Sequence, residues 1–239
     1  MWFRSRIRQF LRKTGYDIIM FHSATSPIVR RMQLIKHNSI DLILDVGANI
    51  GQYAVGMREN RYKGRIVSFE PLSSAFAELK KRARNDPTWD VVNIALGSQN
   101  ARAKINIAEN SESSSLLDML PRLVKMAPYA AYIDSEEITV RTLDSIFHEY
   151  YHLGERAYLK IDTQGYEKNV IEGACQALEN IIGIQMEMSL VPLYENEVLF
   201  TTMIDYMSEK GYTLMSIEPV FSDPVTGQLL QIDGIFFRQ

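Results

Sequence analysis

Short apolar runs alternate with stretches of helical periodicity along most of this 239-residue chain. Apolar runs of this length, bounded by turn residues, are typical of strands buried in a sheet. The runs that we interpret as core strands lie at 42–46, 65–69, 91–96, 158–162 and 181–188. Because helical patterns separate them, βαβ units with parallel strands are predicted. The sequence therefore predicts an α/β fold, a doubly wound and mostly parallel seven-stranded sheet with helices on both faces.

Several further elements are predicted around this sheet. Alternating polar and apolar residues over 101–108 predict an added antiparallel strand, and the last strand near the C-terminus is predicted to run antiparallel as well. Helices are predicted over 142–153 and 166–178. The polar stretch over 109–128 is predicted to be the longest irregular segment, and such loops often carry function.

Charge and cysteine content exclude several classes of protein. A net charge of −3 gives no electrostatic case for a nucleic-acid partner. The one cysteine, Cys175, cannot form an internal disulfide, and a cysteine zinc cluster is excluded. No apolar run approaches the ~20 residues that cross a bilayer, and no continuous apolar segment near the N-terminus predicts a signal peptide. We therefore expect a cytoplasmic protein.

The N-terminal segment differs from the rest of the chain, and we expect 1–40 to be a helical extension and 41–239 to be one domain. Five basic residues precede the first acidic residue, Asp17. They are Arg4, Arg6, Arg8, Arg12 and Lys13. Apolar residues fall near helical spacing between them, at Phe3, Ile7, Phe10 and Leu11. Such a helix can lie on a membrane surface as a peripheral contact, or it can pack Trp2, Phe3 and Phe10 on the domain or on a partner. We favour packing or partner contact.

A glycine-containing turn follows the first core strand and opens a helix, and it is the strongest local signal in the chain. Its sequence is Asp45-Val46-Gly47-Ala48-Asn49-Ile50-Gly51. Gly47 permits a tight turn, and the N–H groups of the following helix would face a ligand there. A dinucleotide fingerprint needs a second glycine where Asn49 stands, and no P-loop ending is present. The turn suits a nucleoside without phosphates, although a plain tight turn is the alternative.

Glu70 ends the second core strand and is the second signal. A carboxylate at this position can accept hydrogen bonds from both hydroxyls of a ribose, as the acidic residue does in dinucleotide folds. A helix-capping or solvated glutamate is the alternative. Because Glu70 follows the glycine turn at the expected spacing, ribose binding is favoured, with Pro71 and Ala48 in the same cofactor site.

The fourth and fifth core strands supply the candidate catalytic groups. Asp162 lies at the carboxyl end of the fourth strand, where ligands collect in open α/β sheets. Lys160 shares a strand face with Asp162 and would be costly to bury unless a carboxylate pairs with it. Glu187 ends the adjacent strand, and two carboxylates beside one cleft suit general-base chemistry on a hydroxyl. The alternative is that one or both carboxylates only cap helix N-termini.

Five blocks of sequence together resemble the FkbM-family methyltransferases over about residues 41–237. They are Asp45-Val-Gly-Ala-Asn-Ile-Gly51, Ser68-Phe-Glu-Pro71, Asn93-Ile-Ala-Leu-Gly97, Thr142-Leu-Asp144 and Leu159-Lys-Ile-Asp-Thr-Gln-Gly-Tyr-Glu167. The resemblance implies a Rossmann-like class I fold, S-adenosylmethionine as cofactor, and O-methylation of a sugar, glycan or secondary-metabolite acceptor. It also implies that the first block lines the methionine part, through Asp45, Gly47, Asn49 and Gly51. In the same way it implies that Glu70 holds the ribose and that Ala95 lies near the adenine. Many members carry a glutamate where this chain has Gln164.

Other functions fit parts of the pattern. The segment His148-Glu149-Tyr150-Tyr151-His152 matches the zinc-protease motif H-E-x-x-H. We expect no metal there, because Leu143, Ile146, Phe147, Tyr150 and Leu153 form the apolar face of the predicted helix and turn both histidines toward solvent. A non-catalytic nucleoside-binding module would share Glu70 but would not need Asp162. A nicotinamide-dependent oxidoreductase would need the glycine that Asn49 replaces.

Overall fold

The computed structural model describes residues 2–18 and 20–238, and within them the chain forms eight α-helices and ten strands. The helices are α1 (Trp2–Lys13), α2 (Pro27–His37), α3 (Gln52–Glu59), α4 (Ser73–Ala83), α5 (Pro121–Met126), α6 (Leu143–Tyr150), α7 (Glu167–Glu172) and α8 (Phe200–Glu209). The strands are β1 (Leu42–Val46), β2 (Arg65–Phe69), β3 (Trp89–Val92), β4 (Ala95–Leu96), β5 (Ala101–Ala108), β6 (Tyr132–Arg141), β7 (Ala157–Ile161), β8 (Ile181–Ser189), β9 (Tyr212–Ser222) and β10 (Leu229–Arg238).

Seven of these strands form one sheet in the order β3-β2-β1-β7-β8-β10-β9. β3, β2, β1, β7 and β8 run parallel, and β10 lies antiparallel to both of its neighbours. The predicted doubly wound, mostly parallel sheet is confirmed, including the antiparallel last strand. The strand order reverses beside β1, where β7 rather than a sequence neighbour pairs with it. Ligand clefts in such sheets open at that point, beyond the carboxyl ends of the strands.

Alternation along the strands divides the core between the two faces of the sheet. Leu44 and its alternate neighbours pack against α6, α7 and α8, whereas Ile43 packs against α2, α3 and α4. Because successive strand side chains point to opposite faces, a strand buried on both sides must be apolar throughout. Asp45 and Lys160 break that rule in the two central strands, although both are buried. The two side chains form an ion pair with each other.

The predicted third strand over 91–96 is wrong as a single element. The chain bends after β3, because the Asn93 side-chain amide donates to the backbone oxygens of Glu70 and Pro71, each at 2.9 Å. The two residues of β4 therefore leave the large sheet and pair with β6. β4, β6 and β5 form a second sheet of three strands, in which β5 is antiparallel to β6, the orientation predicted for 101–108.

Two predicted helices are shorter than expected. α6 begins after Thr142, whose hydroxyl oxygen accepts a hydrogen bond from the Ser145 backbone N–H, and it ends at Tyr150. Leu153 lies beyond that end and is 98% exposed, so its predicted place on the apolar face is wrong. The helix predicted over 166–178 is divided into α7 and a short 3₁₀ helix, Ala177–Asn180.

The N-terminal segment contains the predicted helices, and its basic side chains form local ion pairs. Arg8 and Arg12 both contact the carboxylate of Asp17, at 2.7 and 2.8 Å. Phe10 is 68% exposed, so its predicted packing on the domain is wrong. The expected packing of Trp2 and Phe3 concerns side chains outside the described part of the structure. Among the described helices, none is long and apolar enough to cross a bilayer.

Candidate active site

A cavity of about 530 Å³ lies beyond the carboxyl ends of β1, β2, β7 and β8. Its volume falls within the range of about 300–1,000 Å³ that is typical of ligand pockets. The structure brings most of the predicted site residues together in its wall. They are Gly47, Ala48, Asn49, Glu70, Pro71, Ala95, Lys160, Asp162 and Glu187. Residues 110–116, from the stretch predicted to be irregular, form the side of the cavity opposite the strand ends.

Two residues that were predicted to line the cofactor site lie behind its wall. Asp45 is fully buried, and its carboxylate accepts a hydrogen bond from the Ser68 hydroxyl at 3.0 Å. Gly51 precedes α3 and faces Leu79 and Trp89, and a Cβ built on it would lie 2.9 Å from each side chain. Asp45 and Gly51 therefore shape the turn and its packing, whereas the residues between them reach the cavity.

The turn at Gly47 places two strand ends in direct contact. Its φ is +74°, and a Cβ at this position would lie 1.8 Å from the backbone oxygen of Asp162. On the next strand, the Asp162 N–H donates to the Val46 oxygen at 3.0 Å. The absence of a side chain at Gly47 therefore sets the position of Asp162.

We expect Gly47→Ala to destabilise the protein by about 2 kcal/mol or more, because an added methyl must displace backbone and the positive φ adds strain. Gly56→Ala is the matched control. Gly56 lies inside α3 with open space around its Cα, so alanine there should stabilise the protein by about 0.5–1 kcal/mol. Urea unfolding measures both values. Equal stabilities for the two variants would contradict this account of the turn.

Glu70 joins the glycine turn to the start of α4. Its carboxylate accepts hydrogen bonds from the backbone N–H groups of Asn49 and Leu72, both at 2.8 Å. The residue is 4% exposed, and burial raises its pKa to about 7 despite these two donors. Glu70 therefore serves as the cap that was the alternative interpretation. It also lies in the cavity wall, and each carboxylate oxygen can accept a second hydrogen bond.

Lys160 is the buried cation of the site. Its Nζ lies 3.4 Å from Asp45 Oδ1 and 3.3 Å from Asp162 Oδ2, which confirms the predicted pairing with a carboxylate. Burial opposes the charged form, but Asp162, Asp45 and Asp233 outweigh it and raise the pKa of Lys160. The lysine is therefore a fixed positive charge in the cavity floor, where it holds Asp162 in place.

Gln164 links the two candidate catalytic carboxylates, a contact that the sequence analysis missed. Its side-chain Nε2 donates to Asp162 Oδ1 and to Glu187 Oε2, each at 2.8 Å. The Tyr194 hydroxyl donates to Gln164 Oε1 at 2.8 Å, which requires the amide nitrogen to point at the carboxylates. Gln231 also donates to Glu187 Oε2, at 2.7 Å. A glutamate at 164 would instead place three carboxylates together.

Burial raises the pKa of Glu187 well above its ordinary value, and the nearby Asp162, Asp233 and Glu167 act in the same direction. Asp162 is less buried than Glu187, because 38% of its side chain is exposed, and Lys160 lies beside it. Of the two carboxylates, Asp162 is thus the one that a molecule in the cavity can reach more easily.

Further polar groups line the side of the cavity formed by β8, β10 and α2, and the sequence analysis assigned them no role. Gln185 accepts a hydrogen bond from the Tyr53 hydroxyl at 3.1 Å and donates to Asp233 at 2.8 Å. Arg31 reaches the cavity from α2 and forms a buried ion pair with Glu218. Polar residues at alternate positions of β8 and β10, on the strand face that lines the cavity, could have indicated this part of the site from the sequence.

Glu167 supports the loop that carries the catalytic candidates. One carboxylate oxygen, Oε1, accepts hydrogen bonds from the N–H of Thr163 at 3.0 Å and of Gly165 at 3.2 Å. Burial raises the pKa of Glu167 to about 7, and that of Asp233 to about 6. With Glu70, the site thus contains at least three carboxyl groups that take up protons on folding.

These raised pKa values predict an unusual dependence of stability on pH. A carboxyl group binds protons more tightly in the folded state when its pKa rises from 4.5 to about 7, as for Glu70 and Glu167. Stability should therefore fall as pH increases between about 4.5 and 7, by up to about 1.4 kcal/mol per pH unit for each group. We expect a higher melting temperature at pH 5 than at pH 8.

Glu167→Gln tests the cause. Glutamine keeps the Oε1 acceptor but removes the titration, so the pH slope should be smaller and the stability at pH 8 higher. Glu59→Gln, on the exposed side of α3, should leave the slope unchanged. A wild-type protein that is more stable at pH 8 than at pH 5 would contradict the raised pKa values.

The zinc-protease motif does not form a helical ligand pair. His148 lies on α6, but His152 lies beyond the end of that helix, and both are exposed. His152 Nδ1 lies 3.0 Å from Arg65 Nη1, a cation that disfavours a bound metal ion. Within the described residues, no group of three or more metal-binding side chains is assembled.

Comparison with solved structures gives distant matches. An FkbM methyltransferase from Methylobacillus flagellatus KT is 16% identical with a TM-score of 0.49, and the match covers 82% of this chain and 43% of that one. This chain thus spans less than half the length of that protein. A precorrin-6y C5,15-methyltransferase from Geobacter metallireducens GS-15 is 11% identical with a TM-score of 0.46, over 92% and 93% of the two chains. Similarity this distant says nothing about the acceptor.

Sequence comparison is more informative. No curated protein sequence matches the chain. The family model described as "Methyltransferase FkbM domain" matches residues 45–214, which include the glycine turn, Glu70, Asp162 and Glu187. The matched region spans well over half of the chain and includes the carboxyl ends of β1, β2, β7 and β8. The chain belongs to the FkbM methyltransferase family.

Proposed function

We propose that the protein is an S-adenosylmethionine-dependent methyltransferase that transfers a methyl group to a hydroxyl oxygen of a sugar, a glycan or a secondary metabolite. One observation supports this most directly. One cavity contains the glycine turn at the end of β1 and the buried Glu70 at the end of β2, and also the carboxylates Asp162 and Glu187 at the ends of β7 and β8. The turn and Glu70 suit a nucleoside, and the two carboxylates suit a hydroxyl group.

The residues of the cavity fit this cofactor. Glu70 is buried yet lines the cavity, so its carboxylate can accept hydrogen bonds from ribose hydroxyls while it caps the turn. Gly47, Ala48 and Asn49 would contact the methionine part, and Ala95 the adenine. The turn lacks the second glycine that admits a pyrophosphate, which favours a nucleoside without phosphates over a dinucleotide. When bound, the cofactor supplies an electrophilic methyl group on a sulfonium.

The protein would act mainly by positioning. Holding an acceptor oxygen about 3–3.5 Å from the methyl group contributes on the order of 7–11 kcal/mol. Asp162 would accept the hydroxyl proton, and general-base help of this kind is worth about 10²–10⁴ in rate. Lys160 and Gln164 would orient Asp162, one through its charge and the other through its amide N–H. Glu187 is more deeply buried, and we assign it a supporting role.

The acceptor side of the cavity suits a polar molecule that carries hydroxyl groups. Gln185, Glu187, Gln231 and Asp233 provide both hydrogen-bond donors and acceptors there. Tyr129 also lines the cavity and has 54% of its surface exposed, so that a sugar ring could stack on it. Several carboxylates would repel an anionic acceptor such as a phosphate ester, which favours a neutral sugar.

Ligand binding and product mass test this proposal. S-adenosylhomocysteine should raise the melting temperature of the protein, because a ligand that binds only the folded state stabilises it, whereas NAD should not. Incubation with S-adenosylmethionine and a panel of glycans should yield a product heavier by one methyl group in place of one hydrogen. Stabilisation by NAD alone would favour an oxidoreductase. Binding of S-adenosylhomocysteine without methylation of any acceptor in the panel would favour a nucleoside-binding module.

A further inference from the structure

A second cavity, of about 630 Å³, lies at the end of the parallel strands opposite to the candidate active site. It is formed by α2, by the residues that precede β1 and by the turn that precedes β2. These residues lie at the amino ends of the parallel strands, whereas the candidate active site lies beyond the carboxyl ends. The walls are apolar in part, through Phe21, Val29, Met32, Ile35 and Ile40.

The rim of this second cavity is basic. Lys36, Arg61 and Lys63 are exposed members of it, and no acidic residue lines it. Within the described part of the chain, none of these three side chains has an ion pair or a hydrogen bond. Three unpaired cations around an apolar cavity make a surface that is complementary to an anionic, partly apolar partner.

The segment that leads into this cavity exposes large apolar side chains. Tyr16, Ile18, Met20 and Phe21 are each more than half exposed, and Phe10 on α1 is 68% exposed. Scattered apolar residues are normal on a protein surface, but five within twelve positions of chain are not. These side chains therefore form an exposed apolar stretch next to the basic rim of the second cavity.

Charge is distributed unevenly between this end of the chain and the rest. Residues 1–40 contain eight basic residues and one acidic residue, whereas residues 41–239 contain 18 basic and 28 acidic residues. A chain with a net charge of −3 thus carries a strongly basic N-terminal segment. Juxtaposed basic and exposed apolar side chains are the composition that binds anionic bilayers.

We propose that the surface formed by Tyr16, Ile18, Met20 and Phe21, by α2 and by the turn at residues 60–64 docks on an anionic lipid bilayer. The apolar side chains enter the interface between headgroups and acyl chains, and Lys36, Arg61 and Lys63 contact lipid phosphates. The candidate active site then faces away from the membrane, so that the acceptor approaches from the aqueous side. This proposal does not depend on the methyl-transfer activity.

Sedimentation of the full-length protein with vesicles tests the docking surface. The protein should bind vesicles that contain phosphatidylglycerol and should not bind pure phosphatidylcholine vesicles. Lys36→Glu/Lys63→Glu should weaken binding roughly 30-fold or more, because each basic residue near an anionic surface contributes about a factor of five. Phe21→Ser should weaken binding as well, since it removes apolar burial without changing charge. Circular dichroism should show that both variants are folded.

A second charge reversal provides the matched control. Lys80 and Arg84 lie on and just after α4, are exposed and have no ion pair among the described residues. Lys80→Glu/Arg84→Glu changes the net charge by the same amount and should leave vesicle binding nearly intact. An equal loss of vesicle binding in the two double variants would show that overall charge, and not a defined surface, attracts the protein to the vesicles. That result would overturn the proposal. Failure of the wild-type protein to bind anionic vesicles would also overturn it, in favour of a protein partner for this surface.

Discussion

Replacement of Asp162 by asparagine should slow methyl transfer by about 10²–10⁴-fold, because the amide cannot take the proton of an acceptor hydroxyl. Affinity for S-adenosylhomocysteine should change little. Asparagine keeps an oxygen toward Gln164, and Lys160 retains its second carboxylate, Asp45. Single-turnover measurements with the unmethylated acceptor give the rate of methyl transfer. Calorimetry gives the affinity for S-adenosylhomocysteine, so that the two effects are separated.

Asp90→Asn is a matched control, since Asp90 is an exposed aspartate on β3 outside the cavity wall. It should turn over like the wild-type protein. An Asp162→Asn variant with wild-type turnover would show that the hydroxyl is deprotonated by another group or needs no base. A variant that fails to bind cofactor would show instead that the Asp162 side chain has a structural role, through its contacts with Lys160 and Gln164.

Glu70→Ala should weaken cofactor affinity by about 10- to 1,000-fold. In the proposed complex the Glu70 carboxylate accepts hydrogen bonds from ribose hydroxyls, and each such bond, which the variant would remove, contributes about 1.5–3 kcal/mol. It also leaves the N–H groups of Asn49 and Leu72 without their acceptor. Some loss of stability is therefore expected, and calorimetric titration should be done well below the melting temperature of the variant.

Glu70→Gln distinguishes the two roles of this residue. Glutamine can keep one oxygen acceptor toward the backbone, so that much of the capping survives, but it loses the negative charge and one acceptor. We expect intermediate affinity with nearly normal stability. Glu59→Ala, an exposed residue of α3, serves as the control and should change neither property. Wild-type affinity in Glu70→Ala would remove the ribose role.

The Gln164 side chain separates the two candidate catalytic carboxylates by donating a hydrogen bond to each of them. One amide nitrogen holds Asp162 and Glu187, and Tyr194 fixes which way that amide points. The Gln164 side chain is a neutral donor between two acids. It avoids a third negative charge beside Glu187, whose pKa burial already raises.

The order of the elements and the ends of the central strands could be predicted from the amino-acid sequence. β1, β2, β7 and β8 were predicted within a residue or two, because burial on both faces leaves an apolar run that is visible in a short window. The turn at Gly47 could also be predicted from the sequence, because a tight turn depends on the residue types at a few adjacent positions. The pairing of Lys160 with a carboxylate followed from the cost of burying a charge alone.

The side-chain contacts across the sheet could not be predicted in this way, because they join segments that are distant in the chain. Gln164, Gln231 and Tyr194 reach Glu187 or its partner from three separate segments, and no local pattern marks such contacts. The bend at Asn93 depends on acceptors more than twenty residues away, so the strand over 91–96 could not be divided from its own composition. The exposure of Phe10 likewise depends on whether another part of the folded chain covers it. Periodicity and sterics act over a few residues, whereas partners and burial are set by chain segments that only folding brings together.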